Sequence, residues 1–220
     1  HMHMPNRQAR NYIDALLAFW PGLQILKGDI KGAVKFHESL HQIVRKHDFL
    51  PEAVLFDHSI YWSNHLLRPE FLESTYYLYK ATKDDYYLQI AKKMIEQLEK
   101  HTRVKCGYAA LSDLKTKQHE DRLDSFVYAE TFKYLYLMFV DDQDSDLKFD
   151  IDEFIFSTEA HLIPLDINSF VKEKQIKQKN LEKMKKNSKP LDDLSNDLLT
   201  WKDKTCPCLR YFFSTNNITD

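Results

Sequence analysis

The chain has 220 residues, 43% of them hydrophobic and 13% aromatic, with only four glycines and seven prolines. That is the composition of a helical globular protein rather than a fibrous or linker-rich one. A formal net charge of -2 gives no electrostatic footprint for a nucleic-acid partner, and no apolar run approaches the roughly 20 residues of a membrane span. His1-Met2-His3-Met4 shows no signal peptide. Cys106, Cys206 and Cys208 leave the redox compartment and disulfide state open, because Cys206-Pro207-Cys208 suits neither a zinc ribbon nor a redox Cys-x-x-Cys.

In chain order, Tyr12 to Leu26 reads as an apolar helix interrupted near Pro21-Gly22. Asp29 can cap a second helix, with Ala33, Phe36, Leu40, Ile43 and Val44 on one stripe and a stop near His47-Asp48. Leu50 to Asn64 reads as a connection. A helix opening at Pro69 runs to about Thr82. Asp84 or Asp85 then caps the next, whose Tyr87, Ile90, Ala91, Met94, Ile95 and Leu98 recur at helical spacing. Thr102 to Asp121 reads as a loop with short strands. Asp124 or Ser125 is expected to cap an apolar helix from Phe126 to Val140, and Phe149 to Phe156 is a candidate strand. The helices come in pairs, over 12–47 and 69–101, as ringed or stacked helical hairpins would give. Between Val171 and Pro190 eight lysines face two glutamates, which predicts a solvated, flexible tail.

The stretch from Leu66 to Tyr77 carries the most chemistry. Glu70 falls in the first turn of its helix, where the dipole favours an anion, and Glu73 follows on the same side. The helix continues through Tyr76, Tyr77, Leu78 and Tyr79, so these carboxylates open a segment buried on most sides. Buried charge needs partners. Dipole complementation with arginines would suffice structurally. Glu130, set among Phe126, Tyr134 and Leu137, likewise needs a cation or donors to stay ionised.

Four blocks in order resemble glycoside hydrolase family 47, the class I α-mannosidases. They are Leu67-Arg68-Pro69-Glu70 with Glu73-Ser74, His119 to Phe126, Ala129 to Leu135, and Phe156-Ser157-Thr158-Glu159-Ala160-His161. Within the family the likeness is to the ER degradation-enhancing α-mannosidase-like branch, through Trp20-Pro21-Gly22, Leu26-Lys27-Gly28-Asp29, Leu50-Pro51-Glu52 and Val104 to Tyr108. The resemblance implies an all-α fold: a partial (α/α) barrel of helical hairpins with a small C-terminal β-hairpin. Residues 8–166 would form the C-terminal half of the barrel and 167–220 the lysine-rich tail.

It implies Glu70 as catalytic base, Arg68 and Phe126 as substrate contacts, Thr158 as the Ca²⁺ ligand, and Glu73, Glu130 and Glu159 as carboxylates holding the water around that ion. A threonine's two oxygens suit a hard cation. The implied reaction is inverting hydrolysis of α-1,2-linked mannose on high-mannose N-glycans of misfolded glycoproteins, in ER-associated degradation within the ER lumen. An ER oxidoreductase is a further partner the resemblance allows. The family's general acid lies upstream of these blocks, and Asp14, Asp29 and Glu52 do not sit in its motif. This chain alone is therefore expected to be inactive. The alternative is a non-catalytic module that binds glycans or misfolded chains.

Overall fold

A computed structural model describes residues 3–4, 6–7, 10–140 and 150–166. The expectations for Phe149, the lysine-rich segment, Cys206 and Cys208 lie outside the described residues. The described residues fall into two compact units, one holding those up to Val140 together with Phe156–His161, the other holding 150–155 and 162–166.

In the first unit the described residues form five α-helices and four short strand pairings. Strand β1 (Tyr12–Asp14) leads into a 3-10 turn (Ala15–Phe19) and helix α1 (Trp20–Leu26). Helix α2 (Ile30–His47) follows, then β2 (Ala53–Leu55) and β3 (Ile60–Trp62), which with β1 make a three-stranded antiparallel sheet in the order β1-β2-β3. Helices α3 (Glu70–Thr82) and α4 (Asp85–His101) are succeeded by the pairs β4 (Arg103–Val104) with β5 (Gly107–Tyr108) and β6 (Ala110–Asp113) with β7 (Gln118–Glu120). A π-helical turn (Val127–Thr131) runs into α5 (Phe132–Phe139). The second unit has a 3-10 turn (Ile151–Glu153). Strand β8 (Phe154–Phe156) pairs with β9 (Leu162–Pro164). Among the described residues, no helix is long and apolar enough to cross a membrane.

Three expectations change. Tyr12 to Asp14 is a strand, because β2 supplies hydrogen-bond partners that local periodicity cannot reveal. Pro21 does not interrupt a helix: it occupies the first turn of α1, where no N–H is needed. The segment before α5 is a π turn without a side-chain cap, rather than a helix capped by Asp124 or Ser125. By contrast, Asp29 Oδ1 accepts from the Gly32 N–H at 2.9 Å, and Asp84 caps α4 through the Tyr86 N–H.

Helix α3 is the centre of the first unit, touching α1, α2, α4 and α5. Its Phe71, Leu72, Tyr76 and Leu78 are buried, as are Leu40, Ile43 and Val44 of α2 and Ile90, Ala91 and Leu98 of α4. His37 lies on the same stripe of α2. Its ring stacks on Phe71 with centroids 4.7 Å apart, and Nε2 lies 2.8 Å from Thr75 Oγ1. That hydroxyl already donates to the Phe71 carbonyl, so His37 Nε2 is the donor. Burial holds the imidazole neutral, with its pKa lowered to about 3.

The α1–α3 junction rests on one hydroxyl. Ser74 Oγ accepts from the Gly22 N–H at 3.0 Å and donates to the Ala18 carbonyl at 2.6 Å. A Cβ on Gly22 would come within 3.2 Å of the Tyr77 ring, so any larger residue there would have to push that ring aside by a few tenths of an ångström. Ser74→Ala strands a buried donor and a buried acceptor together, and should cost about 1–3 kcal/mol in urea unfolding followed by helical circular dichroism. Exposed Ser112→Ala should change stability by less than about 0.5 kcal/mol.

Candidate active site

The chain enters α3 along a segment that is pinned from several sides. Ser63 accepts from the Leu114 N–H, Asn64 accepts from the Glu52 N–H, and His65 forms a two-way β-bridge with Leu111. The Leu67 carbonyl accepts from the Thr131 hydroxyl at 2.7 Å. Leu67 itself is 1% exposed and left-handed, with φ 61°. For a branched residue that backbone is strained and persists only because its surroundings enforce it. Arg68 follows, and Pro69 is the N-cap rather than the first helical residue. Glu70 and Glu73 then occupy the first turn of α3, where the dipole favours negative charge.

All seven residues singled out from the sequence line one cleft of about 560 Å³: Arg68, Glu70, Glu73, Phe126, Glu130, Thr158 and Glu159. Leu16, Phe19, Leu23 and Leu26 add an apolar wall that the interrupted-helix reading missed. Arg68 Nε donates to both oxygens of Glu52, at 2.9 and 3.1 Å, and its guanidinium carbon lies 5.5 Å from the centre of the Phe126 ring. Glu52 is thus the carboxylate partner of Arg68. No local spacing joins two residues sixteen apart across a sheet and a loop. Asp14 is spent on capping the Leu17 N–H.

The electrostatics of the carboxylates is unusual. Burial raises the Glu70 pKa to about 7, opposed by its own backbone N–H and by Arg68, and reinforced by Glu130 and Glu52. Its Oε2 is buried without a hydrogen-bond partner among the described residues. Burial likewise raises Glu73 to about 7, with the charges of Glu130 and Glu70 adding to the shift. Glu130, 7% exposed, is raised by burial and then by Glu159, against Lys133 and His161. Three clustered acids therefore hold their protons more tightly than free carboxyls do.

Thr158 sits at a tight turn facing the cleft. Ser157 N–H donates to the His161 carbonyl, Ala160 N–H returns to the Ser157 carbonyl, and Ala160 is left-handed at φ 53°. Lys133 Nζ donates to the Ala160 carbonyl at 2.6 Å, tying the turn to α5. Thr158 and Glu159 are exposed, and Glu159 lies 3.5 Å from His161. Among the described residues no group of three or more His, Cys, Asp or Glu is arranged to hold a metal by itself.

An arginine, an aromatic ring and several high-pKa carboxyls on one cleft of a helical fold are the equipment of a glycoside hydrolase. The family is specific: residues 1–165 match the model of glycosyl hydrolase family 47, and the chain belongs to that family. It is 58% identical over 165 residues to the human ER degradation-enhancing alpha-mannosidase-like protein 3, covering 75% of this chain and 18% of that protein. It is 41% identical over 155 residues to the Schizosaccharomyces pombe ER degradation-enhancing alpha-mannosidase-like protein 1, covering 70% of this chain and 19% of the relative. The match therefore spans less than a fifth of either. Among solved structures, an alpha-1,2-mannosidase from Trichoderma reesei superposes with a TM-score of 0.63 at 24% identity, covering 71% of this chain and 39% of the other. That likeness shows a shared fold.

The raised acids set a sign for pH dependence. Glu70 holds its proton up to about 7 when folded, against an ordinary value of 4.5. The folded state then binds more protons between those values, and this group's contribution falls as pH rises through them. Buried His37 and His65, lowered to about 3 and about 4, act oppositely below 6.5. The variant difference isolates the carboxyl. Glu70→Gln should raise the melting temperature of the chelated chain at pH 7.5, and the gain should vanish near pH 5. A constant difference across that range would contradict the assignment.

Proposed function

We propose that this chain is part of an α-1,2-mannosidase-like protein that acts on high-mannose N-glycans of misfolded glycoproteins in ER-associated degradation, within the ER lumen. The family assignment supports the glycoside hydrolase class, and the names of the relatives support the ER setting. The observation that carries the reading is Glu70, half-buried in the cleft beside Arg68 and Phe126 with its Oε2 buried, so that desolvation raises its pKa to about 7. A base is most effective when its pKa lies near the working pH.

In this reading Glu70 takes a proton from the attacking water, while a second carboxyl, roughly 6.5–9.5 Å away, protonates the leaving oxygen, so that configuration inverts. Phe126 offers a flat apolar face to one side of the sugar ring. Arg68, fixed by Glu52 and Phe126, presents its remaining N–H groups to hydroxyls. None of the cleft carboxyls matches the family's proton donor, so the isolated chain falls short of the full reaction.

The donor chemistry suits Ca²⁺. The cleft offers oxygen ligands in Thr158 and the carboxylates, beside the hydroxyls of Ser125, Ser157 and Tyr77, and Glu70 Oε2 is buried without a hydrogen-bond partner among the described residues. Burial raises the pKa of Glu73 and Glu130, and a cation among them would relieve that cost. Thr158 would hold the ion, with Glu73, Glu130 and Glu159 orienting the waters around it. When bound, Ca²⁺ supplies electrostatic and positional help to sugar hydroxyls. The partial (α/α) barrel is part of the same proposal.

Two measurements test this. Added Ca²⁺ should raise the melting temperature relative to chelator, and Thr158→Ala should shrink the shift. Identical midpoints would remove calcium. The isolated chain should release no measurable mannose from a high-mannose N-glycan, whereas a complete protein containing these blocks should do so. Glu70→Gln there should lower the rate by about 10²–10⁴-fold. Glu70-dependent turnover by the isolated chain would contradict the account of the donor. Glycan binding without turnover in the complete protein would favour a non-catalytic module.

A further inference from the structure

Outside the cleft, the β1–β3 sheet carries a cluster of aromatic rings, half-buried Tyr12 with exposed Tyr61 and Trp62, that the proposed reaction does not use. Tyr12 stacks on Tyr61 with centroids 4.9 Å apart and planes at 11°, and Trp62 lies 5.4 Å from Tyr12 and 5.5 Å from Tyr61. Arg10 sits 5.5 Å over the Tyr12 ring. Despite these contacts Tyr61 remains 48% and Trp62 50% exposed. A core would have buried such rings, since each offers 150–250 Å² of apolar area.

Two chain connections join the cluster to the cleft. Strand β1 ends at Asp14 and passes directly into the 3-10 turn whose Leu16 and Phe19 line the cleft. Strand β2 begins immediately after Glu52, the residue that clamps Arg68, and its Ala53 pairs with Asp14 on one side and Trp62 on the other. Along both connections the rings therefore lie within a few residues, or one strand pairing, of side chains that line the cleft or hold Arg68.

We propose that Tyr12, Tyr61 and Trp62 form a second sugar-binding platform, which stacks pyranose rings of an oligomannose chain beyond the residue held in the cleft. A pyranose has an apolar C–H face and a polar hydroxyl edge. It can lie against an aromatic face while its hydroxyls stay hydrated or bond to nearby polar groups. Rigid stacked rings lose little conformational freedom on binding, which suits a weak, extended contact. The proposal rests on the reading of the cleft as a mannose site, and the test separates the two.

The test is titration calorimetry of the 220-residue chain with Ca²⁺, using α-1,2-mannobiose and a nine-mannose oligosaccharide, together with tryptophan fluorescence. The longer sugar should bind more tightly. Tyr61→Ala with Trp62→Ala should weaken it about tenfold and leave the disaccharide unchanged, and Trp62→Phe should retain most of the affinity. Phe126→Ala should weaken both sugars. Wild-type fluorescence should shift with the long sugar, and the shift should be lost in Trp62→Phe. If Phe126→Ala has no effect while the Trp62 shift persists, the cleft reading fails and the platform stands. Unchanged affinity for the long sugar in the double variant overturns the platform. So does a loss confined to binding of a reduced, carboxymethylated polypeptide. Matching thermal melts exclude unfolding as the cause.

Discussion

Everything functional in the first unit depends on how the backbone is threaded into α3. Between Ser63 and Pro69 the chain is gripped by hydrogen bonds from β6, from the residue before β2 and from the π turn, and in the middle of this grip Leu67 is forced left-handed. Strain of about 1–3 kcal/mol at such a residue survives only where neighbouring contacts outweigh it. The payoff is positional. Arg68 and Glu70 leave a fixed backbone at a fixed angle, so their geometry does not rely on long side chains finding their own places. Thr131 reaches Leu67 from the π turn, while Glu130 beside it faces the cleft, so the two segments bearing acids are locked to each other.

The second constraint is electrostatic. Burial raises the pKa of Glu70, Glu73 and Glu130, the charge of Glu130 adds to the shifts of Glu70 and Glu73, and Arg68 is already engaged by Glu52. Left alone, such a cluster destabilises the folded chain at neutral pH. Natural chains accept local instability of this kind where charge is needed for binding or chemistry. The same carboxyls are therefore a weakness of the fold at neutral pH and, in the proposed reading, the groups that would draw a cation to the cleft.

Much of this was legible in the sequence. Helices α2, α3 and α4 announced themselves by period and caps, because their apolar stripes and Asp29 and Asp84 act within a few residues. The clustering of Arg68, Glu70, Glu73, Phe126, Glu130, Thr158 and Glu159 followed from the resemblance, and the fold does bring these seven to one cleft. What escaped notice depended on distant partners. Strand β1 exists because β2 pairs with it. Glu52 meets Arg68 only once the sheet has formed. His37 is buried only because Phe71 and Thr75 of another helix pack over it. None of these leaves a signal within a helical turn.

The π turn at Val127–Thr131 has a consequence for how this family can vary. A π turn holds one more residue than an α turn in nearly the same length, so side chains on either side of it are rotated relative to a regular helix. Here that offset lets Phe126 and Glu130 serve the cleft while Tyr134 and Met138 fill the core. The number of residues between Ser125 and Phe132 is then as tightly fixed as their identity. Exchanging the largely exposed Tyr128 would cost only its edge contact with Phe132, yet removing it would turn a lining carboxylate toward the core. Descent with substitutions but without gaps is what this stretch permits.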